Sequence, residues 1–232
     1  MRFPPLHSWA LAPGEARALQ AELRSLVRLV PLPRRLRVVA GADCAIGPSG
    51  REIIAVVLAC RLPDLGILAR AEGRAPLVFP YVPGLLSFRE APALLDAFAR
   101  LDAVPDAVLF DGQGIAHPRR FGLAAHLGLW LGVPTVGVAK SLLCGEVRGE
   151  PGPRRGHRRR LVLDGKTVGF ALRTRDGVKP VYVSPGHLAD IDGAARLVLA
   201  CGAGFRLPEP TRLADREVNQ LAARRGPEPA RL

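Results

Sequence analysis

The sequence predicts an α/β fold built on a mixed β-sheet, an antiparallel meander plus parallel strands, flanked by helices. Three strand-like segments, 36–46, 52–62 and 65–73, are separated only by short turns, which is typical of an antiparallel meander. Two short apolar segments, 106–111 and 134–141, then alternate with helical segments. This alternation indicates parallel pairing, because parallel strands need a crossover connection between them.

Helical periodicity identifies the segments that flank this sheet. An amphipathic helix with a proline in its first turn is predicted over 13–29, and a second helix over 91–101. A third helix is predicted over 121–132, where the apolar run ends in glycine. Further strands are predicted within 159–186, followed by a last long helix over 191–201.

Length and composition favour one folded domain. The chain has 232 residues, of which 48% are hydrophobic, enough for a sizeable buried core. No internal repeat or domain boundary is visible, so a single domain is expected over 1–232. Its core is expected at roughly 15–215, and the tail 216–232, which lacks an apolar face, is expected to be frayed.

The charge of the chain favours a polyanionic partner. The formal net charge is +12, and a basic segment occupies 151–160. Nucleic acid is the favoured partner, because every neutralised phosphate releases a counterion. An acidic membrane surface or a solvated basic face would also fit the charge alone.

Cysteine usage and hydropathy point to a cytoplasmic protein. The four cysteines form no C-x-x-C pair and lie in apolar stretches, which predicts buried free thiols in a reducing compartment. No apolar run approaches the roughly 18 residues that cross a bilayer. No signal-peptide core is present near the N-terminus either.

Three acidic residues are candidates for a metal site. Asp43 interrupts the apolar segment VVAGADCAI, and Asp111 ends the buried segment AVLFD. A buried carboxylate needs a partner or a metal, although a satisfied buried acid or an ordinary D-G turn explains either residue alone. Glu90 is expected just before or at a helix N-terminus, where an acid is also favoured by the helix dipole. Together, the three acids would suit Mg²⁺.

Two loops and one lysine are candidates for contact with nucleic acid. The loop 111–122 combines three glycines with His117, Arg119 and Arg120, which suits phosphate binding before a helix, or simply an exposed basic loop. Tyr81 lies between two prolines, where it either stacks on a base or fills a core turn. Lys140 ends a buried strand in a chain with only three lysines.

These segments together resemble the endonuclease V family, and the resemblance covers roughly residues 15–215. The matching segments are GADCAI around Asp43, PYVPGLLSFREAP around Tyr81 and Glu90, DGQGIAHPRRFGLAAHLG around Asp111 and His117, GVAKSLL around Lys140, GFALRTRDGVKPVYVSPGH over 169–187 and RLPEPTRLAD over 206–215. Ordered blocks of this length are far more specific than three acids.

The resemblance implies a ribonuclease H-like fold and a DNA-repair activity. The expected reaction is cleavage of the second phosphodiester bond 3′ to deoxyinosine, leaving 3′-hydroxyl and 5′-phosphate ends. Mg²⁺ is the expected cofactor, and Mn²⁺ is expected to substitute for it. DNA containing deoxyinosine is the expected partner, and a monomer is the expected state.

The resemblance also implies roles for individual residues. Asp43, Glu90 and Asp111 would form the metal site, with Lys140 beside the scissile phosphate. Tyr81 would be a wedge that fills the space left by a flipped base. The residues expected to contact substrate are Pro80, Tyr81, Val82, Pro83, Gly84, Leu86, Gly112, Gly114, His117, Gly122, Leu123, Lys140 and Ser141.

One position departs from the family pattern, and several functions stay open. Some members have a histidine near the metals where this chain has Asp215, which would be an outer-shell ligand, a fourth acid or uninvolved. The alternatives to a deoxyinosine nuclease are another ribonuclease H-like structure-specific nuclease, an inosine-RNA endonuclease and a non-enzymatic reader of damaged bases. The sequence does not distinguish DNA from RNA as the substrate.

Overall fold

The computed structural model describes residues 3–223. Within these residues, nine strands form one mixed sheet, and five α-helices flank it. The helices are α1 (Pro13–Leu23), α2 (Leu86–Arg100), α3 (Leu123–Leu131), α4 (Ile191–Ala200) and α5 (Glu209–Ala223). The strands are β1 (Val38–Ile46), β2 (Glu52–Arg61), β3 (Ile67–Pro76), β4 (Ala107–Phe110), β5 (Thr135–Ala139), β6 (Glu146–Val147), β7 (Arg158–Leu163), β8 (Lys166–Leu172) and β9 (Val181–Pro185).

The sheet contains both kinds of pairing, as the sequence predicts. Its strand order is β3-β2-β1-β4-β5-β9-β8-β7-β6. The first three strands form an antiparallel meander, and β1, β4 and β5 are parallel to one another. Helices α2 and α3 lie in the connections that precede β4 and β5, and such crossovers are what parallel neighbours require. The remaining strands extend the sheet by antiparallel pairing.

Parallel pairing aligns the carboxyl ends of the central strands on one side of the sheet. Ala42 of β1 lies beside Phe110 of β4, and Phe110 lies beside Gly137 of β5. Asp43 therefore follows Ala42 at the same level at which Asp111 follows Phe110. The side chains of Asp43 and Asp111 therefore lie at the same level of the sheet, where β4 ends.

Helices cover both faces of the sheet with apolar side chains. On one face, α2 and α3 pack on the central strands through residues such as Phe98 and Leu127. On the other face, α4 packs through Leu197 and Val198, and α5 packs through Leu213 and Val218. Within residues 3–223, no helix is long and apolar enough to cross a membrane.

Two helices differ from their predicted bounds. The predicted helix 13–29 ends at Leu23 and continues only as a 3₁₀ turn to Leu26, because Val27 adopts an extended backbone. Helix α2 begins five residues before the predicted 91–101, because Phe88 extends its buried face toward the N-terminus. Glu90 therefore lies inside the helix, in its second turn, and not at the N-terminus where it was predicted.

The C-terminal helix α5 was not predicted. The sequence pattern indicated that 191–201 was the last long helix and that the chain frayed from Arg216. The structure contradicts this as far as Ala223, because Val218 is buried and Leu221 packs beside it against β2. The remainder of the predicted tail lies outside the described residues.

The four cysteines are free thiols, as predicted, but only two of them are buried. Cys60 and Cys201 are inaccessible, whereas Cys44 and Cys144 are half-buried. A pattern of apolar neighbours therefore overestimated the burial of two of these side chains.

Close packing of α5 on β1 generates a stability prediction at Gly41. A Cβ atom at Gly41 would lie 2.1 Å from the carbonyl carbon of Pro210, so Gly41→Ala forces the helix away from the strand. We expect a cost of about 1–3 kcal/mol or more and a Tm lower by roughly 5 °C. Thermal unfolding followed by circular dichroism measures this.

The matched control for Gly41→Ala is Gly14→Ala. A Cβ at Gly14 meets nothing within 4 Å, and alanine favours a helix more than glycine does. We expect an unchanged or slightly raised Tm. Equal Tm values for the two variants would contradict the role assigned to Gly41.

Candidate active site

Three carboxylates converge at the carboxyl-terminal side of the parallel strands. Asp43, Asp111 and Asp215 each offer an oxygen, and these oxygens all lie within 4.8 Å of one another. Asp43 comes from β1, Asp111 directly follows β4, and Asp215 comes from α5. The cluster therefore joins residues separated by more than 170 positions in the sequence.

The backbone fixes the positions of these three acids. The amide of Asp111 donates to the carbonyl of Ala42 at 3.4 Å, which continues the pairing of β1 with β4 beyond the last paired residues. Helix α5 packs directly on β1 at Gly41, and Asp215 lies one helical turn after Thr211 at that contact. The acids thus come together because a strand pair and a packed helix place them there.

Lys140 lies between two of the acids. Its Nζ is 2.6 Å from Oδ2 of Asp111 and 2.8 Å from Oδ1 of Asp215. Burial alone would lower the pKa of Lys140, but hydrogen bonds to both carboxylates raise it above its usual value. Lys140 is therefore a permanent cation that offsets part of the negative charge.

Glu90 lies near the cluster but outside the group of three. Burial raises the pKa of Glu90 to about 8, and repulsion from Asp43 and Asp111 adds to the effect. The sequence grouped Glu90 with those two acids, whereas the structure places Asp215 in the tight group.

Burial favours the protonated form of three of the acids, Asp43, Glu90 and Asp111. Burial raises the pKa of Asp43 to about 7, and the nearby charge of Asp111 adds to this shift. Burial also raises the pKa of Asp111, although its ion pair with Lys140 opposes the change. One ammonium does not neutralise four neighbouring acids, so the site favours either protons or additional cations.

The donor set fits a hard divalent cation. All the converging ligand atoms are carboxylate oxygens, which Mg²⁺ prefers, and neither thiol nor imidazole belongs to the group. The close approach of the Lys140 ammonium shows that a positive charge is accommodated between these oxygens. Asp43 and Asp111 are the residues that would hold the ion, with Asp215 and Glu90 adjacent.

A cavity of about 330 Å³ adjoins the cluster, and Asp111 and Lys140 belong to its wall. Most residues that the resemblance assigned to substrate contact line this cavity. They are Tyr81, Val82, Pro83, Gly84, Leu86, Gly112, His117, Gly122, Leu123, Lys140 and Ser141.

Two of the predicted contact residues lie elsewhere. Pro80 is exposed and does not line the cavity. Gly114 is buried, and a Cβ there would lie 2.0 Å from the carbonyl oxygen of Pro185. Gly114 therefore allows the loop to pack on the end of β9 and does not face the cavity.

His117 lies in the cavity wall, where two hydrogen bonds hold its ring. Its Nε2 donates to the carbonyl of Gly84 at 2.9 Å, and its Nδ1 accepts from the amide of Arg119. Burial lowers the pKa of His117 to about 4, so the ring is neutral at physiological pH. A neutral, doubly bonded histidine shapes the cavity wall and does not supply a positive charge for phosphate.

Tyr81 lies at the mouth of the cavity, with 69% of its surface exposed. The Arg89 guanidinium lies 6.0 Å from the ring centroid, and no buried core packing holds the ring. The interpretation of Tyr81 as a core residue in a tight turn is therefore wrong.

The sequence pattern missed several residues of the cavity wall. Gln20 donates to the carbonyls of Gly84 and Phe121, so helix α1 contributes to a site that no local motif linked to it. The Nε2 of Gln113 donates to the carbonyl of Ser141 at 3.3 Å. Of the missed cavity residues, only Gln113 lies in a loop, 111–122, that the sequence pattern had singled out. The other missed residues are Ser87, Ala139 and Leu143.

Comparison with known proteins identifies the family. The endonuclease V family model matches residues 21–216. The endonuclease V of Alkalilimnicola ehrlichii is 49% identical over 212 residues, covering 91% of this chain and 93% of that relative. These matches include the strands, loops and helix that carry the acidic cluster.

Solved structures agree with the fold. The endonuclease V of Streptomyces avermitilis has a TM-score of 0.87 and 42% identity, covering 92% of this chain and 94% of that one. The endonuclease V of Ciona intestinalis, solved with a 24mer DNA containing an inosine followed by a ribo-adenosine, has a TM-score of 0.76 and 24% identity, covering 89% and 96% of the two chains.

The predicted ribonuclease H-like α/β fold, a mixed sheet flanked by helices, is confirmed by these structural matches. Because the family model and a relative of 49% identity both span most of the chain, the protein belongs to the endonuclease V family and is a hydrolase that acts on phosphodiester bonds.

Proposed function

We propose that the protein is a Mg²⁺-dependent DNA-repair endonuclease that nicks the second phosphodiester bond 3′ to deoxyinosine, leaving 3′-hydroxyl and 5′-phosphate ends. The observation that carries this proposal is the position of the acidic cluster beside a cavity large enough for a purine, with an exposed tyrosine at its mouth. The Ciona protein was solved with inosine-containing DNA, which supports the same class of substrate. We expect a cytoplasmic monomer.

The acidic cluster is the proposed place of cleavage. Bound Mg²⁺, or Mn²⁺ in its place, would supply activation of water and stabilisation of the leaving oxygen. Asp43 and Asp111 would hold the ion, while Asp215 and Glu90 would complete its acidic surroundings. Lys140 directs its ammonium toward the same space, where it holds the scissile phosphate and offsets charge that develops during cleavage.

The adjoining cavity is the proposed place of base recognition. Backbone groups around Gly84, Gly112 and Gly122 surround it, so a flipped base meets donors and acceptors fixed by the main chain. Flipping costs less at a weakened base pair, which favours deaminated purines. Tyr81 is exposed and lies between two prolines that limit loop motion, so it can occupy the gap left in the duplex.

Protonation of the cluster couples the stability of the protein to pH. The folded protein holds protons on Asp43 and Glu90 up to about pH 7 and pH 8, whereas the unfolded chain releases them near the ordinary pKa values of about 4. The folded state therefore binds more protons across this window, and its stability falls as pH rises. A bound cation removes this penalty by stabilising the ionised acids.

The acidic cluster generates a first prediction for activity. Asp43→Asn and Asp111→Asn should lower the nicking rate at least a hundredfold while retaining binding to inosine DNA, because each change removes a proposed ion ligand without removing the cavity. The measurement is gel analysis of end-labelled single-inosine DNA with Mg²⁺ present, with the product ends mapped.

The controls for this assay distinguish the alternative functions. Matched inosine-free, branched, RNA–DNA hybrid and inosine-RNA substrates are tested with the wild-type protein, and Asp102→Asn, on the loop before β4, is the control variant. Cleavage that ignores inosine would favour a structure-specific nuclease, and cleavage of inosine RNA alone would favour an inosine-RNA endonuclease. Wild-type rates in either cluster variant would rule out the proposed cleavage site.

The raised pKa values of Asp43 and Glu90 generate a prediction for the stability of the protein. In the presence of a chelator, the Tm of the wild-type protein should fall between pH 5 and pH 8, because ionised Asp43 and Glu90 are destabilising in the fold. Glu90→Gln should reduce this dependence, and Mg²⁺ should raise the Tm more at pH 8 than at pH 6. Differential scanning fluorimetry in matched buffers measures both effects. The same slope in Glu90→Gln as in the wild type would contradict the assignment.

The exposed tyrosine generates a prediction for duplex substrates. Tyr81→Ala should weaken binding or nicking of duplex inosine DNA about five- to a hundredfold, because base stacking on an aromatic ring contributes about 1–3 kcal/mol. Single-stranded inosine DNA should be affected less, since it has no gap to fill. Tyr81→Phe keeps the ring and should behave as the wild type. Equal losses on both substrates would argue against a wedge.

A further inference from the structure

An arginine run lies on the far edge of the sheet from the meander. Arg158, Arg159 and Arg160 form the first half of β7, and all three are exposed. The short strand β6 pairs only with Leu161 and Val162, so this half of β7 has no neighbouring strand on its outer side. Arg159 and Arg160 fall within the strands predicted over 159–186, and β7 begins one residue earlier, at Arg158.

The run lies at the same level of the sheet as Lys140. Ala139, which precedes Lys140, pairs with Tyr182; Tyr182 pairs with Ala171, and Ala171 pairs with Arg159. Three strand spacings therefore separate Arg159 from the end of β5, which is about 14 Å. That distance corresponds to about four base pairs along the axis of B-DNA.

The acids near the run leave two of its cations unneutralised. Asp192 pairs with Arg158 at 3.1 Å, and the guanidinium of Arg158 also lies 4.4 Å from the ring centroid of Phe170. Arg159 and Arg160 have no carboxylate within ion-pair distance among residues 3–223. The guanidinium groups of Arg159 and Arg160 are therefore available to an external anion such as a backbone phosphate.

The space beside the run can hold a phosphate backbone. The wall of a wide groove of about 1190 Å³ contains the three arginines and Arg148, together with two acids, Glu146 and Asp192, which pair with Arg148 and Arg158. Arg158 and Arg160 follow the alternation of the strand toward the α4 face, and Arg159 points to the opposite face beside Gly149. Because these guanidinium groups lie on both faces of the sheet at β7, they suit a ligand that runs across the outer side of this strand.

We infer that Arg159 and Arg160 bind backbone phosphates of the substrate duplex about four base pairs from the cleaved bond. The inference rests on the proposed function only in taking Lys140 as the position of the scissile phosphate. Charged residues on an open edge strand also prevent edge-to-edge aggregation, which is the alternative explanation of the run.

The test compares two variants that lose the same charge. Arg159→Gln/Arg160→Gln removes the proposed contacts, and Arg34→Gln/Arg35→Gln removes two exposed arginines from the loop before β1, a strand that lies five positions from β7 in the sheet. Binding is measured by fluorescence anisotropy with chelator present, so no cleavage is needed. Inosine-containing and inosine-free duplexes are both used, so that failure of the inosine proposal does not affect the outcome.

We expect the first variant to bind both duplexes ten- to a hundredfold more weakly at about 0.1 M salt, with a salt slope smaller by about 0.9 for each lost contact. Arg159→Lys/Arg160→Lys should restore most of the affinity. The Arg34→Gln/Arg35→Gln control should keep its affinity within about twofold and its slope unchanged. Equal behaviour of the two charge-loss variants, or aggregation of the first with wild-type affinity in its soluble fraction, would overturn the inference.

Shortened duplexes test the predicted distance. When one flank of the lesion is cut to two base pairs, the difference between the wild type and Arg159→Gln/Arg160→Gln should disappear. When the other flank is cut, the difference should persist. A difference that survives both truncations, or is lost in both, would contradict a contact on one flank at this distance.

Discussion

Repulsion among converging carboxylates is the constraint on which the rest of this site depends. Asp43, Asp111 and Asp215 offer oxygens within 4.8 Å of one another, and the ammonium of Lys140 lies between Asp111 and Asp215. Such a cluster does not assemble by itself. Backbone pairing of two parallel strands and the close contact of a helix with Gly41 hold it in place, and the stability of the apolar core offsets its cost.

The cavity and the acids share one rigid frame. The carbonyl of Gly84 accepts hydrogen bonds from Gln20, His117 and Arg119, which belong to helix α1 and the loop after β4. The same loop begins with Asp111 of the cluster. A base bound in the cavity and a phosphate bound at the acids would therefore be held at a fixed separation, as selective cleavage near one base requires.

Local pattern predicted the strands well, because β1, β4 and β5 are largely apolar, and it therefore distinguished Asp43, which interrupts β1, and Asp111, which follows β4. It did not find the role of Asp215, whose position depends on packing between elements distant in sequence. Likewise, the loop motif did not reveal that His117 is buried, with a neutral ring that is hydrogen-bonded to the protein. Glu90 was misplaced because the predicted helix began at residue 91, whereas the buried Phe88 extends the helix toward the N-terminus.

The most direct test of this account is anomalous diffraction from crystals soaked in Mn²⁺. The account predicts an ion bonded to carboxylate oxygens of Asp43 and Asp111 at roughly 2.1 Å, beside Asp215 and Glu90 and at the edge of the cavity. Anomalous density found only at other residues, with the three carboxylates still bonded to Lys140 or protons alone, would contradict it.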